Sequence, residues 1–141
     1  MTILSRESLL KKEHLTTVKV ELGKDEFVFV RQMTGRERDT FEQSLIKKIK
    51  DGKGIVTAFE QSTEDFRAKL AVCTVCDEAG KLLLKPTDYP LLSESMSAAR
   101  LEKIVNAAQK LNAISEEDKE ALVKNSVVGP ADNSTSDSVK N

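Results

Sequence analysis

The sequence predicts a mainly helical α+β domain in which an N-terminal β-hairpin packs on a bundle of three to four helices. Two patterns predict this fold. From Leu15 to Leu22 apolar and polar side chains alternate, as on a strand. After Thr34 apolar side chains recur at every third or fourth position, as on an amphipathic helix. Thr34 and Glu37 have the spacing of a capping box, which places the start of a helix at this change.

The composition is typical of one small domain with an aliphatic core. Aromatic residues make up 4% of the 141 residues, which argues against an aromatic-lined ligand pocket. The net charge is −1 with both signs interspersed, so no large basic face for nucleic acid is evident. The longest apolar run, 70–76, is too short to span a bilayer, and the N-terminus lacks an apolar signal region. We therefore expect a cytoplasmic protein with reduced cysteines.

Three regions follow from the pattern. Residues 1–14 form a flexible or partly helical lead, in which Ser5 can cap one helical turn. Residues 15–125 form a single globular domain. Residues 126–141 are rich in Ser, Asn and Asp and offer little to bury, so they are predicted to be a disordered C-terminal tail.

The hairpin is predicted from two short apolar segments around the turn 23–25. Val18, Val20 and Leu22 alternate with polar residues on the first strand. The second strand, 27–30, is apolar on both faces. Its second face therefore needs a cover, either a helix of this chain or a partner.

Helical periodicity predicts four helices. The first runs from Gly35 to Lys50 and ends at the glycine-rich turn 51–54. Residues 55–59 are ambiguous and fit one helical turn. The other three helices are opened by serine or threonine caps, and the first and last of these three carry acidic residues in the first turn. These caps are Ser62 or Thr63, Ser93 or Ser95, and Ser115.

The core is predicted from the apolar stripes of these elements. We expect the hairpin to pack on the helices that start near Gly35 and Glu64. The residues expected in the core are Phe29, Phe41, Leu45, Phe66, Leu70, Ile104, Val105 and Leu111.

Cys73 and Cys76 have the spacing of a redox or zinc motif. A zinc site needs four ligands, and the chain has no second cysteine pair and only the distant His14. A thioredoxin-type pair opens a helix, whereas these cysteines lie late in an apolar helix. We interpret them as packing residues, and the sequence predicts no catalytic, cofactor-binding or metal-binding residue.

The order of several short motifs resembles the tail assembly chaperones of long-tailed, siphovirus-type bacteriophages and prophages. The similarity covers residues 3–125. It lies in VRQMTGRERDTFE at 30–42, FRAKL at 66–70, CDEAGK at 76–81, ARLEKI at 99–104, AQKLN at 108–112 and SEED at 115–118.

The resemblance implies an assembly role without catalysis, in the cytoplasm of the bacterial host and outside the mature virion. Such chaperones bind the tape measure protein, keep it soluble and recruit tail tube protein, and a ribosomal frameshift commonly extends some copies. The ligand would be a long apolar helix, so we expect an apolar groove and possible homo-oligomers. The residues left over from the predicted core are the candidates for partner binding: Val28, Val30, Leu82, Leu83 and Leu84.

Two other classes remain open. The chain could be a small nucleic-acid-binding regulator that uses the helix from Gly35 for recognition, although the charge balance counts against this. It could also be a redox or metal protein built on Cys73 and Cys76.

Overall fold

The computed structural model describes residues 1–114 and residues 127 and 128. Over these residues the fold is α+β, with five α-helices and two three-stranded sheets. The helices are α1 Arg6–Leu10, α2 Gly35–Gln43, α3 Phe66–Val72, α4 Tyr89–Ser95 and α5 Ala98–Leu111, with a 3₁₀ turn at Pro86–Asp88. The strands are β1 Thr17–Gly23, β2 Glu26–Arg31, β3 Ile46–Lys50, β4 Val56–Gln61, β5 Val75–Cys76 and β6 Val127–Val128.

The first sheet contains the predicted N-terminal hairpin. Strands β1 and β2 pair antiparallel, and β5 adds to the outer edge of β2. Val20 and Leu22 are buried and Val18 packs against the core, as the alternating pattern predicts. The hairpin and its inward-facing β1 residues are therefore confirmed.

The faces of β2 are the reverse of the prediction. Val30 is fully buried and Val28 packs against the core, whereas Phe29 is partly exposed and Phe27 is 48% exposed. The pairing explains this result, because Val20 lies opposite Val28 and Val18 lies opposite Val30, so these two β2 residues share the buried face of β1. The expectation that Phe29 lies in the core is wrong.

The predicted first helix is too long, because its second half is a strand. Helix α2 ends at Gln43, and β3 follows and pairs antiparallel with β4 to form a second hairpin. The Asp51 carboxylate oxygen Oδ1 accepts from the amides of Lys53 (2.8 Å) and Ile55 (3.0 Å), and Gly54 takes φ +82°. The predicted turn at 51–54 therefore connects two strands. Local turn geometry and cross-strand pairing outweigh the helical spacing of the apolar residues.

The two helices that follow start later than predicted. Helix α3 begins after Asp65, which has φ 58°, and not after Ser62 or Thr63. Helix α5 begins after Ser97, whose hydroxyl accepts from the amide of Arg100 (3.2 Å). The predicted caps Ser93 and Ser95 lie inside α4, a separate short helix.

The core lies between the first sheet, α3 and α5. Helix α5 packs on α3 and on β1, and it is the main helical neighbour of the first hairpin in place of the helices expected. The Phe41 and Phe66 rings meet edge to face with centroids 5.6 Å apart. The confirmed buried residues are Phe41, Leu45, Phe66, Leu70, Ile104 and Val105, and Leu111 is partly buried against them.

The two ends of the chain agree in part with the prediction. Ser5 caps α1, because its hydroxyl accepts from the amide of Ser8 (3.2 Å). Val127 and Val128 pair with Glu60 and Phe59 of β4, so these two residues belong to the second sheet and not to the predicted tail. The predicted helix from Ser115 and the other tail residues lie outside the described residues.

None of the helices in the described part has the length and apolar character needed to cross a membrane.

Candidate partner-binding surface

The outer face of the first sheet carries a row of residues that runs across its strands. Lys19 pairs with Phe29, Phe29 with Cys76, and Cys76 with Leu82. Residues paired in this way share one face of a sheet. Cys76 is buried within the row, and its neighbours Phe29 and Leu82 are partly exposed. This face therefore presents apolar side chains to solvent.

Phe27 extends the row along β2. Its ring meets the Phe29 ring edge to face, with centroids 5.5 Å apart, and the Lys19 ammonium lies 4.4 Å from the Phe27 centroid. Edge-to-face packing and the cation above the ring favour one orientation of these side chains. We call Phe27, Phe29 and Leu82 the outer patch.

The residues predicted from sequence for partner binding do not form one surface. Val28 and Val30 belong to the inner face of the sheet. Leu84 packs against the core, and Leu83 is 57% exposed, with its amide bonded to the carbonyl of Val75 (3.1 Å). Only Leu82 of the five lies in the outer patch. Phe27 and Phe29 were not predicted, although a turn at 23–25 already pairs Val18 and Val20 with Val30 and Val28 and so leaves both rings on the outer face.

An ion pair fixes the end of β2 next to this face. The Arg31 guanidinium donates Nη1 to Glu37 Oε1 (2.9 Å) and Nη2 to Glu37 Oε2 (2.8 Å), and a further bond joins Nη1 to the carbonyl of Gln32 (2.8 Å). Glu37 also completes the predicted capping box by accepting from the amide of Thr34 (2.9 Å). This arrangement couples the first sheet to the start of α2.

The contacts of Glu37 favour the ionised form of its carboxyl group. Burial alone would raise the pKa of the carboxyl group. The hydrogen bonds from Arg31 and Thr34, with the positive charge of Arg31, stabilise the ionised form and leave the pKa below its ordinary value of 4.5.

Both cysteines are free and buried. Burial raises the pKa of the Cys73 thiol from 9.0 to about 11, with a smaller contribution from the Glu37 carboxylate. Burial likewise raises the pKa of Cys76. A thiol needs to ionise in order to attack a substrate or bind a metal, and this environment opposes ionisation.

A cleft of about 570 Å³ lies between the N-terminal lead, the start of α2 and the end of α5. Asn112 and Arg38 in its lining join the end of α5 to the start of α2. Asn112 Oδ1 accepts from the amide of Met33 (2.7 Å), and Arg38 donates to the Asn112 carbonyl (3.0 Å) and to Glu42 (3.0 Å). These bonds explain the cleft as a structural junction.

The described residues include no group of three or more His, Cys, Asp or Glu side chains placed to hold a metal ion.

Comparison with known proteins adds no family. No protein-family model, curated protein or solved structure matches this chain significantly.

Proposed function

We propose that this chain is a non-catalytic tail assembly chaperone of long-tailed bacteriophages, which binds the tape measure protein and keeps it soluble. The resemblance of its ordered motifs to that family motivates the proposal. The structural observation that supports it is the outer patch, where Phe27 is 48% exposed beside the partly exposed Phe29 and Leu82. Contiguous apolar side chains at the surface, with charged residues beside them, are one mark of a protein-binding site, and this supports the proposal.

The dimensions of the outer patch fit an apolar helix. Leu82 is two strand spacings from Phe29, which corresponds to about 10 Å across the sheet. A helix with its side chains is about as wide. Lys19 and Glu21 flank the aromatic pair with opposite charges, so both signs are available to the polar edges of a helix. The patch would cover the apolar stripe of such a helix and leave its polar face in water.

The proposal includes the other roles that the family implies. Many copies would coat one long tape measure protein, some would carry a frameshifted extension, and the coated complex would recruit tail tube protein. Self-association of the copies would increase the effective concentration of the outer patch along the partner.

Co-expression with the tape measure protein of the same phage tests the proposal. We expect the wild-type chain to increase the soluble fraction of the tape measure protein, and Phe27→Asp to abolish this effect. Phe59→Asp is the matched control, because Phe59 is similarly exposed (41%) but lies on β4. Thermal unfolding of each variant shows that the domain still folds. A tape measure protein that is soluble alone, or that Phe27→Asp solubilises equally well, would refute the proposal.

A further inference from the structure

The second hairpin stands apart from the helices. Its strands pair with each other and with β6, and in the described part of the chain no helix packs extensively on either. All five residues of β3 are exposed. Among them Ile46 and Ile49 are 37% and 39% exposed, and Phe59 on β4 is 41% exposed. The hairpin thus exposes apolar side chains that the core of this domain does not use.

Within the described part of the chain, the outer backbone edge of β3 is unpaired. The strand order is β3-β4-β6, so no strand among the described residues pairs with the outer side of β3. At the opposite side of this sheet, β4 already accepts the short apolar strand Val127–Val128. An unpaired edge offers a row of amides and carbonyls to any extended chain of compatible sequence.

The side chains of β3 restrict which chain is compatible. Three of its five residues are lysines, at positions 47, 48 and 50. Lysines on an edge strand prevent unspecific pairing with other strands, and this role accounts for the three lysines of β3. It does not explain the exposed Ile46 and Ile49, which would favour apolar partners at their own positions. An incoming strand that satisfies both sets of positions carries two apolar residues three positions apart, with acidic residues between and beside them.

We propose that the β3 edge binds an extended, acidic and apolar segment of a partner protein as an additional strand. A second copy of β3 does not fit, because two strands that each carry three lysines would place like charges side by side. Nucleic acid fits less well, since Glu60 pairs with Lys47 and Asp51 follows the strand. The inference does not rest on the proposed function, because β3 and the outer patch belong to different sheets.

Synthetic peptides bound to the full chain test this inference. The probe, called the Glu–Val peptide, is fluorescent and about seven residues long, and its centre is Glu-Val-Glu-Glu-Val. In antiparallel pairing this order places Val opposite Ile46 and Ile49 and Glu opposite the three lysines. A Lys–Val peptide of the same length is its control. We expect the Glu–Val peptide to bind about tenfold more tightly or better, with an affinity that falls as salt is added.

Charge reversal on β3 locates the site. Lys48→Glu with Lys50→Glu should weaken binding of the Glu–Val peptide about tenfold and strengthen binding of the Lys–Val peptide. The matched control is Lys24→Glu with Lys53→Glu, which changes the net charge equally at two exposed turn positions. The control should bind the Glu–Val peptide nearly as the wild type does. The gain for the Lys–Val peptide also shows that the reversed variant is folded at this edge.

N-methylation of the peptide distinguishes strand pairing from simple charge attraction. In a strand, alternate amides point to opposite edges, so methylating one alternate set should abolish binding while methylating the other leaves it intact. Equal binding of both methylated peptides would overturn the inference, as would equal binding of the Lys–Val peptide. If a single-stranded oligonucleotide binds more tightly than the Glu–Val peptide, the β3 edge binds nucleic acid instead. If the chain forms a stable dimer that the β3 reversal dissociates, the edge binds a second copy of the chain.

Discussion

Arg31 and Glu37 join the end of β2 to the start of α2. Their bidentate ion pair is largely buried, with side-chain exposures of 7% and 25%. Arg38 and Glu42 form a similar pair one turn further along α2, but their side chains are 35% and 46% exposed. Burial makes the first pair costly to break, because the remaining partner keeps its charge away from water. The two pairs therefore provide a matched comparison.

Glu37→Gln should lower the free energy of unfolding by roughly 2 kcal/mol near neutral pH. Glu42→Gln should change it by less than about 0.5 kcal/mol. The folded-state pKa of Glu37 is lowered, so its contribution is complete above the ordinary value of 4.5 and is lost as the pH falls through the lowered value. Urea unfolding over this pH range measures the difference. A Glu37→Gln effect that persists unchanged at low pH would contradict the ionic origin of the stabilisation.

Leu70 lies at the centre of α3 and is fully buried. Leu70→Ala should destabilise the domain by about 2–5 kcal/mol, because it removes apolar contacts and leaves a cavity. Leu91→Ala is the control, since Leu91 is 70% exposed, and it should cost less than about 0.5 kcal/mol. Both values come from chemical denaturation. Similar effects of the two changes would mean that α3 is not the centre of the core.

The buried thiols should be unreactive in the folded chain. At neutral pH we expect Cys73 and Cys76 to react slowly with a thiol reagent, and both to react rapidly once urea unfolds the domain. Replacing both with Ala should leave partner binding intact and cost only packing energy. Rapid reaction of one thiol in the native state would restore the redox or metal interpretation.

At the scale of elements, the two hairpins differ in what supports them. The first packs on α5, whereas the second has no comparable helical cover in the described part of the chain. Backbone hydrogen bonds without a packed cover open more easily. The second hairpin is therefore suited to accept a partner without disturbing the core.

Hydrogen exchange tests this difference. We expect the amides of β3 and β4 to exchange faster than those of β1 and β2, which should exchange close to the limit set by global unfolding. Ile49 and Val20 are convenient reporters because each lies inside its strand. Equal protection in the two hairpins would show that the second one is also part of the cooperative core.

The sequence predicts elements well where local chemistry is decisive. The Thr34 cap, the first hairpin and the stripe of α5 all follow from short-range patterns. The sequence does not predict elements that form only through pairing with a distant segment. The segment 46–50 has helical spacing and becomes a strand only because 56–61 pairs with it. The faces of β2, which is apolar at every position from 27 to 30, follow only from the pairing of Val18 and Val20 with Val30 and Val28, and so the outer patch could not be predicted from the apolar pattern of β2 alone.

At the scale of the whole molecule, the described residues combine one core with two exposed surfaces on separate sheets. The outer patch lies on the first sheet and the β3 edge on the second. Each surface should therefore have its own set of variants that are defective in binding. Changes at Phe27 should affect the outer patch, and changes at Lys48 should affect the β3 edge. A variant of one surface should leave binding at the other unchanged, as expected for sites without shared residues.

The most direct measurement is the affinity of the chain for labelled helical fragments that together cover the tape measure protein. Fluorescence anisotropy should show that at least one apolar fragment binds the wild-type chain and the Phe59→Asp variant equally. Phe27→Asp should bind that fragment about tenfold more weakly or worse, because a buried carboxylate at the centre of an apolar contact is costly. If no fragment binds, or if Phe27→Asp binds as tightly as the wild type, the outer patch is not the surface that holds the tape measure protein.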